Sequence, residues 1–136
     1  MRVVVLRENR RRVAALAGSD SVPARDFLQY SPADLQGSAR GMWALLDRYA
    51  EGGRQKLTAE LFHEANREAA IWEFVKGRLR LYCFIDDGAV VILTHGAIKK
   101  SQKAARSDIA RAVGLRNEYL AARQRGELRW ETADHA

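Results

Sequence analysis

The chain has 136 residues, of which 47% are hydrophobic and 29% are charged, and its formal net charge is +6. This length suits one domain, residues 1–136, with a single modest core. The lone cysteine excludes an internal disulfide framework and a cysteine-built zinc site, and Cys83 lies in an apolar run that predicts a core position. No apolar run approaches the ~20 residues of a membrane span, so the sequence predicts a cytoplasmic protein.

The N-terminal half is predicted to hold one strand and two helices. Residues 3–6 are apolar and β-branched, as is typical of a strand, whereas residues 10–16 fit either a second hairpin strand or a helical turn. Pro23 can begin a short helix, and Ser31 can cap a longer helix that ends at Gly52-Gly53. The longer helix has apolar residues at helical spacing, which predicts one buried stripe: Leu35, Ala39, Met42, Leu46 and Tyr49.

The C-terminal half changes character and predicts a sheet. Residues 71–75, 78–85 and 89–95 are candidate strands, and Asp86-Asp87-Gly88 between two apolar runs is a hairpin signal that a turn explains fully. The connections are too short for crossovers, so these strands are predicted to form an antiparallel meander.

A long helix is predicted to follow the meander. It covers residues 105–124, with Gly126 as its stop, and residues 127–136 either add a short strand through Leu128 and Trp130 or form a loose tail. The predicted class is therefore α+β: an N-terminal strand, two helices, an antiparallel meander and a C-terminal helix packed on one sheet.

The positive charge is concentrated in one part of the chain. Residues 71–116 contain nine Lys/Arg and four Asp/Glu, whereas the rest of the chain contains fourteen and thirteen. A localised basic surface suggests an anionic partner, with nucleic acid first and acidic protein second, although a solvated face is the alternative. Its densest part holds four basic residues without an acid, a pattern suited to phosphate contacts: Lys99, Lys100, Lys103 and Arg106.

The strand predicted at residues 78–85 alternates in chemistry. Its apolar face should pack on the helices: Leu79, Leu81, Cys83 and Ile85. Its other face could hold a phosphate through guanidinium groups and stack a base on a ring: Arg78, Arg80, Tyr82 and Phe84. In the alternative interpretation, Arg80 and Tyr82 merely cover the sheet and pair with Glu73.

His95 is the only histidine beside the basic cluster. It could donate a proton near neutral pH, or it could be structural. His63 and His135 show no ligand spacing with it, so no metal site is predicted.

Four segments and the Asp/Gly turn at residues 86–88 together resemble the RelE/ParE toxin superfamily, and most closely its phage-derived HigB-like branch. The segments are Ile71-Trp72-Glu73-Phe74, Gly77-Arg78-Leu79-Arg80-Leu81-Tyr82-Cys83-Phe84, Val90-Val91-Ile92-Leu93-Thr94-His95-Gly96 and Ile98-Lys99-Lys100-Ser101-Gln102-Lys103. The resemblance implies a RelE-like fold and the toxin of a type II toxin–antitoxin pair. Such toxins cleave mRNA in the ribosomal decoding site by promoting attack of a ribose 2′-OH on the neighbouring phosphate, without a metal or another cofactor. The implied partners are a helix-turn-helix antitoxin and mRNA on the ribosome, with no membrane.

By position, the resemblance assigns Arg80 to stabilising the transition-state charge, and the predicted catalytic set is Arg80, His95 and Lys100. The predicted RNA-binding set is Arg78, Tyr82, Lys99, Lys103 and Arg106. Val75 stands where many relatives have a basic residue, and Ala104-Ala105 where many have Thr-Pro, which weakens the nuclease prediction but not the fold prediction. The alternatives are a non-catalytic nucleic-acid-binding or gyrase-binding toxin like ParE, or an inactive prophage remnant that only binds antitoxin.

Overall fold

The computed structural model describes residues 1–87, 90–100 and 106–132. In chain order its strands and α-helices are β1 (Arg2–Glu8), β2 (Arg12–Ala17), α1 (Pro23–Gln29), α2 (Gln36–Gly52), β3 (Phe62–Asn66), β4 (Ile71–Lys76), β5 (Leu79–Asp86), β6 (Val90–Ile98), α3 (Arg106–Gln124) and β7 (Arg129–Thr132). Short 3₁₀ turns flank α2 at Ala33–Leu35 and Gly53–Lys56. None of the helices in the described ranges is long and apolar enough to cross a membrane.

All the strands join one mixed sheet in the order β3-β4-β5-β6-β2-β1-β7. β3 to β6 form an antiparallel meander, and β1 and β2 form an antiparallel hairpin. β2 joins β6 in parallel, and β7 joins β1 in parallel. The α+β class and the meander are thus confirmed, but the sheet is larger than predicted and it is mixed.

Three strands go beyond the predicted layout or resolve an ambiguity in it. β2 covers most of the ambiguous residues 10–16, and its central residues are all buried because the sheet is covered on both faces, where strands need not alternate. β3 was missed, because only Phe62 among its residues is buried and the strand lies at the sheet edge. β7 shows that the tail adds a strand, while residues 133–136 lie outside the described part.

The second helix begins later than predicted. Ser31 does not cap it, because its hydroxyl donates to the carbonyl of Leu28 at 3.1 Å, and α2 starts only at Gln36. The helix ends as predicted, with Gly53 at φ 73° donating its N–H to the carbonyl of Tyr49. The predicted stripe is confirmed, since all its members are buried: Leu35, Ala39, Met42, Leu46 and Tyr49.

Helices cover both faces of the sheet. One face packs on α1 and α2 and includes Leu81 and Cys83, which confirms the predicted core position of the cysteine. The other face packs on α3 through Tyr82, Phe84 and Tyr119. The prediction of an open Arg/aromatic face is therefore wrong for these two β5 rings, because the C-terminal helix lies over them.

α3 is fastened to the end of β5 by Asp86. This carboxylate accepts a hydrogen bond from the Tyr119 hydroxyl at 2.5 Å and pairs with the guanidinium of Arg123. These contacts, with burial opposing them, hold the pKa of Asp86 below its usual value. Asp86 therefore does more than shape the predicted turn, whose Gly88 lies outside the described residues.

Candidate active site

Strand register places four polar side chains in one line across the sheet. His63 on β3 lies opposite Glu73 on β4, Glu73 opposite Tyr82 on β5, and Tyr82 opposite His95 on β6. Directly opposed residues of antiparallel strands project from the same face. We call these four residues the polar row, and it lies on the sheet face that α3 packs against.

A β-bulge brings His95 into the polar row. Tyr82 pairs with His95 and the next residue, Cys83, pairs with Leu93, so Thr94 is an extra residue in β6. Strict alternation would put Leu93 and His95 on the same face. The bulge shifts the strand by one position, so Leu93 remains in the core under α1 and α2 while His95 faces α3.

His95 is almost completely buried, at 1% exposure, and its ring stacks on Tyr82 with centroids 5.1 Å apart. Its Nε2 lies 3.1 Å from Asp108 Oδ1, and its Nδ1 lies 3.0 Å from the Thr94 hydroxyl oxygen. Burial lowers the pKa of His95, an effect that the Asp108 hydrogen bond opposes and the charge of Arg111 reinforces. The Asp108 carboxylate can only accept, so His95 donates to it from Nε2, while the Thr94 hydroxyl beside Nδ1 donates its own proton to the carbonyl of Tyr82 at 3.1 Å.

Tyr82 lies in a different environment from the one predicted. The sequence predicted a ring free to stack a base, but Tyr82 is 3% exposed and stacks on His95 instead. Burial, with the carboxylates of Glu73 and Asp108, raises the pKa of Tyr82 to about 12, although Arg80 opposes the shift. Tyr82 is therefore a neutral phenol at physiological pH.

Glu73 and Arg80 form the charged centre of the site. Glu73 is buried, and its Oε1 lies 3.5 Å from Arg80 Nε, so these two side chains pair. Arg80 donates from one terminal nitrogen to the carbonyls of Gly77 at 2.8 Å and Leu79 at 2.9 Å. Its buried Nε has no hydrogen-bond partner among the described residues, so the Glu73 contact is an ion pair rather than a hydrogen bond.

His63 is the accessible end of the polar row, with 41% of its side chain exposed. Its Nδ1 lies 2.7 Å from the carbonyl oxygen of Ala59, which can only accept, so Nδ1 carries a proton. In the neutral ring Nε2 is then unprotonated, and it lies 3.8 Å from Glu73 Oε1. Sequence reasoning considered His63 only as a metal ligand, because its strand was not predicted.

Basic residues surround the end of β5 that carries Arg80. Leu79 pairs with Ile98, and the N–H of Lys99 donates to the carbonyl of Arg78 at 2.7 Å. Arg78 and Lys100 are exposed and Lys99 is half-buried, and we call these three residues the basic rim. Arg106 is exposed at the start of α3. Lys103, which was predicted to bind RNA, lies outside the described residues.

The structure thus brings Arg80 and the basic rim to one end of the meander and places His95 inside it. Sequence reasoning missed Asp108 and His63 as members of the site and treated Glu73 only as a structural partner. Within residues 1–87, 90–100 and 106–132, no group of three or more His, Cys, Asp or Glu side chains could hold a metal ion.

The residues of this site lie in the part of the chain that matches a known protein family. A family model described as phage derived protein Gp49-like (DUF891) matches residues 26–116, which run from α1 into α3 and include the polar row and the basic rim. β1, β2 and β7 lie outside the matched range. No curated protein matches the chain. Because the family match covers more than half of the sequence, the chain belongs to the Gp49-like family of phage-derived proteins.

Proposed function

We propose that this protein is the toxin of a type II toxin–antitoxin pair, with a RelE/HigB-like fold, and that it inhibits translation as a ribosome-dependent mRNA endoribonuclease. The observation that carries the proposal is that the accessible His63–Glu73 part of the polar row lies against Arg80, with the basic rim at the same end of β5. Membership of a phage-derived family supports it. The family resemblance of residues 71–103 adds a helix-turn-helix antitoxin and ribosome-bound mRNA as partners.

The reaction sets clear chemical demands. The ribose 2′-oxygen forms a bond to phosphorus, the bond to the 5′-oxygen breaks, and a 2′,3′-cyclic phosphate and a 5′-hydroxyl result. A proton must leave the 2′-OH, another must reach the 5′-oxygen, and the negative charge on the phosphorane must be stabilised. Arg80 supplies the charge for the last task, because Glu73 and two carbonyls fix its guanidinium.

His63 is our candidate proton acceptor. Its Nε2 is unprotonated in the neutral ring, its side chain is accessible, and it lies 3.8 Å from Glu73 Oε1, beside the ion pair with Arg80. Lys100, exposed at the basic rim, is our candidate for protonating the 5′-oxygen. His95 is too deeply buried to touch RNA in this arrangement, so we assign it to positioning Tyr82.

The basic rim binds the RNA backbone in this proposal. Arg78, Lys99 and Arg106, with Lys103 added from the sequence, would contact phosphates and give salt-dependent affinity without reading sequence. The ribosome supplies the alignment of the mRNA.

The test is cleavage of mRNA by purified protein in the presence of translating ribosomes. The wild-type protein should cut ribosome-bound mRNA, and Arg80→Ala and His63→Gln should each lower the rate by about 10²–10³-fold, the size of effect seen when a transition-state contact is lost. Arg40→Ala, an exposed arginine on α2, is the matched control and should cut normally. Intact mRNA with folded wild-type protein would overturn the proposal.

One observation favours a second candidate, a toxin that binds without cutting. Tyr82 and His95 are buried under α3, and Arg80 is already paired with Glu73. This arrangement suits a ParE-like protein that binds gyrase or nucleic acid. Induced expression distinguishes the two, because a ribonuclease stops translation whereas a gyrase poison triggers the DNA-damage response. An inactive remnant that only binds antitoxin would do neither.

A further inference from the structure

A second group of arginines lies on the other face of the sheet, away from the polar row. It occupies the corner where the β1–β2 hairpin meets the end of α2. A cavity of about 340 Å³ opens there, lined by Arg11, Tyr49, Gly52, Arg54, Gln55 and Ile85. Ile85 and Arg80 are on opposite faces of β5 and towards opposite ends of it, so this cavity is separate from the candidate active site.

The hairpin is fixed to the helix by its backbone. The N–H groups of Arg10 and Arg11 both donate to the carbonyl of Ala50, each at 3.0 Å. The Arg11 side chain then lies against Gly53, where a Cβ atom would come within 2.8 Å of Arg11 Nε. Gly53 also has a φ of 73°, which favours glycine. Arg11 is therefore held at the cavity by local backbone geometry.

Arg54 is held from the opposite side. Its guanidinium carbon lies 4.8 Å from the ring centroid of Trp72, within the range of a cation–π contact. Burial raises the pKa of Tyr49 to about 12, and the charges of Arg11 and Arg54 each oppose that shift. The guanidinium groups of both arginines therefore lie at the same cavity.

Neither arginine is neutralised within the described part of the chain. No described carboxylate lines the cavity, and no ion pair joins Arg11 or Arg54 to a described Asp or Glu. The neighbouring Glu8 pairs with Arg12 at 3.6 Å instead. Two forked N–H donor groups and the amide of Gln55 are suited to an oxyanion with several oxygens.

We propose that this cavity binds a phosphoryl group, carried either by a free mononucleotide or by the backbone of an RNA. The volume is within the range of small-ligand sites and leaves room for a sugar beside the phosphate. Arg11 lies outside the family match and Arg54 inside it, so the site joins the N-terminal hairpin to the family region. The proposal stands independently of mRNA cleavage, because it uses none of the same residues.

The experiment is calorimetric titration of the full chain with inorganic phosphate, adenosine 5′-monophosphate and a ten-nucleotide RNA. Arg11→Gln and Arg54→Gln each remove one charge but keep an amide donor. Arg48→Gln is the matched control, because Arg48 is an exposed arginine of α2 that does not line the cavity. Thermal melts of all variants establish that each is folded, and two independent arginines keep the test decisive if one variant is unstable.

We expect each cavity variant to raise the Kd for phosphate-bearing probes by about tenfold, and the control to change it by less than about twofold. Equal weakening by the control, or no binding of any probe, would overturn the proposal. Tight binding of the monophosphate identifies a free nucleotide as the ligand, whereas binding of the RNA alone, lost in both cavity variants, identifies the RNA backbone.

Discussion

The two faces of the sheet are built on different chemistry. Under α1 and α2 the buried residues are apolar, and the groups that could ionise stay neutral, since burial raises the pKa of the Cys83 thiol well above its usual value and that of Tyr49 to about 12. Under α3 lies the polar row, in contact with Asp108 and Arg80. One face therefore supplies pH-insensitive stability, and the other holds groups that can exchange protons.

The polar face is tolerated because its groups are linked. A buried charge or polar group is costly unless it is paired or hydrogen-bonded. His95 has partners at both ring nitrogens, Glu73 faces Arg80, and Tyr82 stacks on His95. The same face also holds buried apolar residues such as Phe84 and Ile92, so the polar row is embedded in packed side chains.

The largest expected effect concerns the apolar face. Phe74 is fully buried and lies against the rings of Phe62 and Tyr49, with centroids 4.4 Å and 6.0 Å away. Phe74→Ala should lower the free energy of unfolding by about 3–5 kcal/mol, measured by urea denaturation, because it leaves a cavity among these rings. Phe74→Leu, which fills most of the space, is the control and should lose less than half as much. An alanine variant as stable as the wild type would contradict the assignment of this face as the main core.

A smaller effect is expected where α3 is fastened over the polar face. Tyr119→Phe removes the hydroxyl that donates to Asp86 but leaves the ring on Phe84 and the Arg123 pair in place. We expect a loss of about 1–2 kcal/mol in the free energy of unfolding, as for a hydrogen bond to a charged group. Native-state hydrogen exchange should show a larger loss of amide protection in α3 than in α2. An equal loss of protection in both helices would argue against separate roles for the two faces.

The smallest effect is a pH dependence that only the polar face should show. The pKa of His95 in the folded chain lies below its ordinary value of 6.5, so the unfolded chain binds the proton more readily. The contribution of His95 to the free energy of unfolding is complete above about pH 6.5. It is lost as the pH falls from there toward the folded pKa, by at most about 1.4 kcal/mol per pH unit. Urea denaturation at pH 7.5, 6.5 and 5.5 measures this loss.

Substitutions beside His95 should change how the free energy of unfolding depends on pH, and those at Arg111 and Asp108 should act in opposite directions. Arg111→Gln removes a charge that lowers the pKa of His95, so the loss of stability on acidification should be smaller. Asp108→Asn removes the partner that raises this pKa, so the loss should continue to lower pH. His95→Gln should flatten the slope between pH 7.5 and 5.5. If His95→Gln retains the wild-type slope, another group is responsible for it.

The sequence by itself determined the buried faces of the elements that it predicted. The alternation of β5 predicted which residues share a face, and the spacing of the α2 stripe predicted its buried side. An apolar run predicted that Cys83 is a core residue. These features depend on the 2.0 and 3.6 residue periods of the backbone, which a short stretch of sequence carries in full.

The tertiary structure decided what those faces meet. The extra residue at Thr94 turns His95 toward α3, the edge strand β3 brings His63 to Glu73, and the docked hairpin places Arg11 near Arg54. Each depends on pairing or packing between segments that are distant or irregular, and local periodicity does not specify these. The sequence therefore located the segment with the candidate chemistry, and the fold selected which of its side chains lie together.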